Sequence, residues 1–190
     1  MAVHLTTARL RLREFTEADV DNLLALDADP EVVHFITAGR PTPRVEIEQE
    51  ILPRWLRYYD ESPGLGFWAA EDRATGEFVG WFHLRPGDGH GNDEPEVGYR
   101  LRRSAWGKGY ATEGSRALID KAFAELPITR VLAETMVVHT ASRRVMEKSG
   151  LRPVRLFHAN WPVKIPGDEH CDVEYALNRT EWEAGLATAR

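Results

Sequence analysis

The chain has 190 residues, 43% hydrophobic and 28% charged, a globular composition long enough to close one sizeable core. A net charge of −6 argues against nucleic acid as the main ligand and suits a cationic acceptor such as an amine. No apolar run approaches the roughly 18 residues of a membrane span, and Met1 to Arg9 lacks the apolar stretch of a signal peptide; with Cys171 the only cysteine, a cytoplasmic chain without an intrachain disulfide is expected.

In chain order, charge and leucine alternate from Arg9 to Arg13, the pattern of a half-buried strand. Thr16-x-x-Asp19 is a near capping box, opening a helix through Val20, Leu23 and Leu24 that ends before Asp29-Pro30. After Pro41-Thr42-Pro43, Arg44 to Tyr59 reads as a helix with Ile47, Ile51, Trp55 and Tyr59 on one face, kinked or interrupted by Pro53. Phe67 to Glu71 and Phe78 to Leu84 read as a hairpin around Ala74-Thr75-Gly76-Glu77. Gly87 to Asp93 is expected to be a mobile loop. A strand from Pro95 to Leu101 precedes a helix from Glu113 to Ala124. A strand follows from Arg130 to Val138, then a helix from His139 to Ser149 stopped by Gly150. Strands from Val154 to Ala159 and Val173 to Leu177 and a helical tail from Glu181 to Ala189 complete one mixed-sheet α/β domain.

The densest signal lies between the Pro95–Leu101 strand and the helix after it. A strand that turns through glycines into a helix aims backbone N–H groups and the helix's positive end at the turn. Gly107 and Gly109 remove side chains that would hold a phosphate away. The arrangement predicts a pyrophosphate cradle. It is not a P-loop, since Lys108 lies between the glycines and nothing reads Gly-Lys-Thr. Nor is it a dinucleotide fingerprint, since Gly107-x-Gly109 is followed by Thr112 and lies past the middle of the chain. Trp106 suits core packing better than stacking on a ligand. Gly98, in mid-strand, fits a bulge or a close backbone approach. Nothing reads Gly-x-Ser-x-Gly, and Cys171 lacks a catalytic context, so no covalent enzyme intermediate is expected. His170 and Cys171 are adjacent and would face opposite ways in a strand; no metal is expected.

Trp106 to Ala111 resembles the acetyl-CoA loop of the GNAT N-acetyltransferases, Arg/Gln-x-x-Gly-x-Gly/Ala, with Trp106 where Arg or Gln is usual. Its form through Glu113 is similar to the Rim-type branch, which includes the ribosomal-protein N-terminal acetyltransferases. Thr7 to Arg13 resembles that branch's first strand, Glu96 to Leu101 its fourth and Ala141 to Leu151 its last core helix. Asp172 to Leu177 and Glu181-Trp182 resemble its closing strand and tail, so the likeness spans nearly the whole chain.

The resemblance implies a single N-acetyltransferase domain over residues 1–190. Its sheet would be mixed and largely antiparallel, with helices on both faces and strands four and five splayed apart. Acetyl-CoA would be the co-substrate. Its pyrophosphate would lie at Trp106, Gly107, Lys108, Gly109, Tyr110, Ala111 and Thr112, and its pantetheine between the splayed strands along Tyr99 and Leu101. The acceptor would be a primary amine, with a protein or peptide α-amine leading. A small-molecule amine or antibiotic, or a non-catalytic acyl-CoA-binding domain, is the alternative. A second copy of the chain is a further implied partner.

Glu96 is either the group that takes the ammonium proton, directly or through water, or an exposed strand-end carboxylate. The demand on a base differs with the acceptor: deprotonation at pH 7 costs roughly 4–5 kcal/mol for a lysine and about 1 kcal/mol for an α-amine. His139 stands where the family's Asn-x-x-Ser has Asn, and an imidazole still donates one hydrogen bond to pantetheine. Ser142 either bonds the departing thiolate or caps the helix. Met146 stands where some members carry a Tyr general acid, which leaves the thiolate to Ser142, another donor or water. By the same analogy the Arg44–Tyr59 helix, His83 and the Trp161–His170 loop line the acceptor side.

Overall fold

The computed structural model describes residues 2–87, 89–161 and 163–188. Asp88, Pro162 and Ala189, which fall in the Gly87 loop, the acceptor-side loop and the helical tail of the sequence reading, lie outside the described residues. The strands are β1 Val3–Thr6, β2 Leu10–Glu14, β3 Gly66–Asp72, β4 Phe78–Pro86, β5 Pro95–Leu101, β6 Arg130–Met136, β7 Arg152–Phe157 and β8 Asp172–Asn178. They form one sheet in the order β1-β2-β3-β4-β5-β6-β8-β7. Only the β5–β6 pairing is parallel. The helices are α1 Val20–Asp27, α2 His34–Thr37, α3 Arg44–Glu46, α4 Leu52–Glu61, α5 Tyr110–Glu125, α6 Thr140–Lys148 and α7 Arg179–Thr188.

Strand alternation sends neighbouring side chains to opposite faces, and each face has its own core. On one face Leu23, Leu26, Leu52 and Trp55 pack on Phe67, Ala69, Phe78 and Trp81. On the other, Leu118, Ile119, Ala122 and Phe123 of α5 pack on Phe82, Leu84, Val97 and Leu101. Each such side chain, fully buried, contributes roughly 1.5–3 kcal/mol. The seating of α5 depends on Gly114, where a Cβ would lie 2.3 Å from the Phe82 ring.

Several elements differ from the sequence reading. Pro53 does not break its helix. Residues Ile47–Ile51 form a π turn between α3 and α4, in which the Leu52 N–H bonds the Ile47 carbonyl, and Pro53 then sits in the first turn of α4, where its missing N–H matters least. The wider turn shifts the apolar face, so Leu52 is buried while Ile51 is only half-buried. The helix expected from Glu113 begins at Tyr110, which makes Tyr110 to Thr112 its first turn. β6 stops at Met136 rather than Val138: the Val137 N–H still bonds the facing Cys171 carbonyl, and the chain then turns, with the His139 N–H on the Met136 carbonyl. β7 runs two residues earlier than expected, and β1 and α2 have no counterpart in the reading. Among the described residues no helix is long and apolar enough to cross a membrane.

Candidate active site at the split between β5 and β6

β5 is paired with β4 from Gly80↔Leu101 to Pro86↔Pro95. With β6 it shares the single register pair Glu96↔Leu132. Beyond that pair the strands part, opening toward the N-termini of α5 and α6. This is the splay expected of strands four and five, here β5 and β6 because β1 precedes them. Alternation along β5 sends Val97, Tyr99 and Leu101 to the α5 face, and Glu96, Gly98 and Arg100 to the α1 and α4 face.

The glycine loop lies at the open end. Gly107 and Gly109 have φ +71° and +83°, a region that favours glycine. A Cβ on Gly107 would meet nothing within 4 Å, and one on Gly109 only the Arg9 guanidinium at 3.4 Å. Gly109 is the N-cap and supplies no side-chain cap; the first bond of α5 runs from the Glu113 N–H to the Gly109 carbonyl. The N–H groups of Tyr110, Ala111 and Thr112 therefore have no carbonyl behind them in the helix. Beside Gly109 and Thr112 opens a shallow groove of about 570 Å³, lined by Arg116 and Lys148 together with Glu113, which is paired with Arg9, and Asp120, which accepts from Trp182. Exposed glycine backbone, an uncapped helix start and nearby cations fit a pyrophosphate.

The loop is held from outside. Glu113 accepts from the Thr7 hydroxyl at 2.6 Å and from the Arg9 backbone N–H at 2.9 Å. The Arg9 guanidinium donates to Glu113 at 2.6 Å and to the Lys108 carbonyl at 2.8 Å, and lies over the Tyr110 ring. The Tyr110 hydroxyl bonds Asp72. The Lys108 side chain is exposed. Trp106 is not core: it is 45% exposed, with its Nε1–H committed to the Leu101 carbonyl at 2.8 Å.

On the α5 face the Tyr99 hydroxyl lies 3.2 Å from Ser142 Oγ, joining β5 to the first turn of α6. Ser142 is therefore not the cap; His139 holds the N-cap position, without a side-chain capping bond. Burial pushes the Tyr99 phenol up to about 12, against the lowering effect of the Ser142 bond. Met146 is buried in the core, away from any role in proton transfer.

On the other face Glu96 Oε2 is 3.1 Å from Arg85, and His83 Nε2 is 3.9 Å from Glu96 Oε1. His83 is buried, and burial, with Arg85 and Arg100 nearby, holds its imidazole well below the ordinary histidine value. Gly98 is not a bulge, because its register with His83 is regular; it is the close approach, since a Cβ there would lie 2.5 Å from His83 Nε2. Arg100 reaches Asp27 of α1 at 2.5 Å. Of the expected acceptor-side segments, α4 and His83 meet through Phe67, and the 161–170 loop lies at the start of α6. Trp55 and Tyr58 of α4 pack on Phe67, which touches the His83 ring. Gly167 of the 161–170 loop sits against Val138. His139 stacks on Phe35 of α2 at 4.2 Å, and burial, helped by His34, lowers its imidazole to about 4. Phe35 has no signal in the sequence, and Arg9 and Glu113 figure there only as parts of matching segments, since their contacts with each other and that of Phe35 with His139 join residues distant in the chain. No group of three or more metal-ligating side chains occurs among the described residues.

Comparison with known proteins gives this geometry a context. An Aspergillus fumigatus protein named FsC-acetyl coenzyme A-N(2)-transacetylase is 38% identical over 185 residues, covering 94% of this chain and 77% of its own. A Bacillus subtilis (strain 168) protein named "Putative ribosomal N-acetyltransferase YdaF" is 31% identical over 146 residues, covering 77% of this chain and 76% of its own. Among solved structures, RimL, a ribosomal alpha-N-protein acetyltransferase in complex with coenzyme A, superposes with a TM-score of 0.76 at 18% identity over 93% of this chain and 98% of its own, a likeness of fold. The model of the acetyltransferase (GNAT) domain matches residues 9–152, a span that runs from the Arg9 anchor through the cradle, the split and α6, and the chain belongs to the GNAT acetyltransferase family.

Proposed function

We propose that the chain acts as one domain in which acetyl-CoA enters the β5–β6 split from the α5 face and an α-amine meets it from the α1 and α4 face. The observation that carries this is the single Glu96↔Leu132 pair, beyond which Tyr99 and Ser142 face one side and Glu96 and His83 the other. Acetyl-CoA supplies the activated acyl carbon. The N–H groups of Gly107 to Thr112 and the positive end of α5 would hold its pyrophosphate. Trp106 and Leu101 frame the approach from β5, and the unpaired edge of that strand, with His139 at the start of α6, would receive the pantetheine. Glu96 would take the ammonium proton, and backbone N–H groups at the split would stabilise the oxyanion. Tyr99, kept protonated by burial, and Ser142 would hydrogen-bond the departing sulfur, and a thiolate near pKa 8.5 asks for little more than that before it takes a proton from water.

An α-amine suits this site because it asks little of a base. The Aspergillus relative, whose name specifies transfer to a nitrogen numbered N(2) and mentions no protein, favours a small acceptor. The name of the Bacillus relative favours a second reading, a ribosomal-protein N-terminus. Cys171, the only cysteine, fits work in the reducing cytosol. The implied homodimer is checked by sedimentation.

The test is thiol release from acetyl-CoA with three acceptors: amino-acid amides bearing an α-amine, N-terminal peptides, and a lysine blocked at its α-nitrogen. Turnover of the amides above both others supports the small-acceptor reading, and turnover of the peptides above the amides the second. Preference for the blocked lysine overturns the α-amine reading. Acetyl-CoA binding without turnover of any amine makes this a binding domain.

A further inference from the structure

His83 is an anomaly. It lies in the centre of β4 with 7% of its surface exposed, and neither ring nitrogen has a hydrogen-bond partner among the described residues. A buried imidazole left so costs about 1–3 kcal/mol, and a phenylalanine or leucine would fill the same space without that cost. The ring is nevertheless carefully seated. Phe67 meets it edge-on at 5.0 Å and Trp81 lies against it at 5.7 Å. Across the strand pair Gly98 leaves the gap that the Nε2 edge occupies. That edge faces the Glu96 carboxylate, 3.9 Å away.

Glu96 is drawn two ways along β4: its Oε2 is 3.1 Å from Arg85, its register partner, and its Oε1 is nearest His83, which lies two residues closer to the open end of the split. We propose that His83 is a positioning residue for Glu96: as the Nε2–H tautomer it donates to Oε1 when the acceptor enters, and so draws the carboxylate along the strand toward the open end, against the pull of Arg85. A movement of about 1 Å brings the pair to ordinary hydrogen-bond length. The imidazole does not compete for the proton that Glu96 receives, because its environment keeps it neutral. Gly98 belongs to the same device, since any side chain there would displace the ring. The inference rests on the reading of Glu96 as the acceptor-side carboxylate.

Two measurements test it. The first is the 15N signal of the His83 ring in the whole protein. Expected is an Nε2–H tautomer whose Nε2 signal shifts when coenzyme A and the best acceptor of the amine panel are added to the parent protein and not when they are added to Glu96→Gln. An Nδ1–H tautomer, or an Nε2 signal that the addition moves equally in both proteins or in neither, overturns the proposal. The second is steady-state kinetics with the best acceptor of the amine panel. His83→Phe and Gly98→Ala should each lower kcat about tenfold with acetyl-CoA affinity within about twofold, and His83→Gln, which keeps an N–H at that end, should recover most of the loss. Equal kinetics for the phenylalanine and glutamine variants would reduce His83 to packing. If His83→Phe does not fold, Gly98→Ala decides the kinetic arm alone. Full activity in Glu96→Gln would remove the underlying reading instead, an outcome distinct from a low-activity Glu96→Gln beside a fully active His83→Phe.

Discussion

The Tyr99–Ser142 contact at 3.2 Å makes a prediction in which two side chains behave as one. Tyr99→Phe and Ser142→Ala should each lower kcat about tenfold with acetyl-CoA affinity within about twofold, and the double variant should be no worse than either single one. Steady-state kinetics beside calorimetric titration checks this. Additive losses would mean that the two hydroxyls act separately. The sequence singled out both residues but not their contact, because β5 and α6 are brought together by the fold and not by spacing. Trp106 shows the opposite failure. Aromatic area argued for burial, whereas its indole N–H is satisfied by the Leu101 carbonyl, a local bond that lets the ring stay at the surface.

Among the elements, the glycine turn between β5 and α5 was legible because its determinants are local: a strand, two glycines and a helix within twenty residues. Its support was not, because the Thr7–Arg9 turn meets Glu113 across more than a hundred residues of chain. Arg9→Ala should therefore weaken acetyl-CoA binding by about three- to tenfold while kcat at saturation stays near the parent value, a loss of preorganisation rather than of chemistry. Calorimetric titration reads the affinity, and an unchanged Kd would leave the loop self-supporting. In α5 itself, Gly114→Ala places a methyl group 2.3 Å from the Phe82 ring and should cost about 1–3 kcal/mol of stability, read by denaturant unfolding. The π turn before Pro53 was half-legible. Proline announced a disturbance, but only the register of the buried residues shows that the helix absorbs it by widening. β1 was missed because its alternation, Val3-His4-Leu5-Thr6, is only four residues long; pairing with β2 makes it a strand.

At the scale of the whole molecule, buried histidines tie stability to pH. His4 stacks on Trp68 at 3.9 Å, and burial, with Lys121 adding to it, lowers its imidazole to about 4; His139 is lowered to about 4 as well. The unfolded chain takes up these protons near pH 6.5 and the folded one only near 4. Stability is thus full above pH 6.5 and declines as pH falls toward 4. For Asp19 and Glu71, burial acts upward, but hydrogen bonds, those from Arg13 foremost, outweigh it and hold both below the ordinary carboxylate value. Their contribution is lost only at still lower pH. The Tm should drop by about 5 °C between pH 7 and 4.5, and His4→Phe should flatten that slope; scanning calorimetry across this range checks both. The mixed α/β class and the hairpin were legible from periodicity, and the helices on both faces from the family resemblance. The two separate cores were not, since periodicity gives a face for each element but not which faces meet.

A sheet whose halves share one rung has an unusual mechanical character. β1 to β5 form one plate and β6, β8 and β7 another, and past Glu96↔Leu132 no ladder resists their rocking. The backbone amides that face the gap should exchange with deuterium far faster than those inside the β3–β4 hairpin. A ligand lying along that gap becomes a missing strand, so acetyl-CoA would stiffen the protein at the place where it reacts, and the slowing of exchange would trace the ligand's path residue by residue.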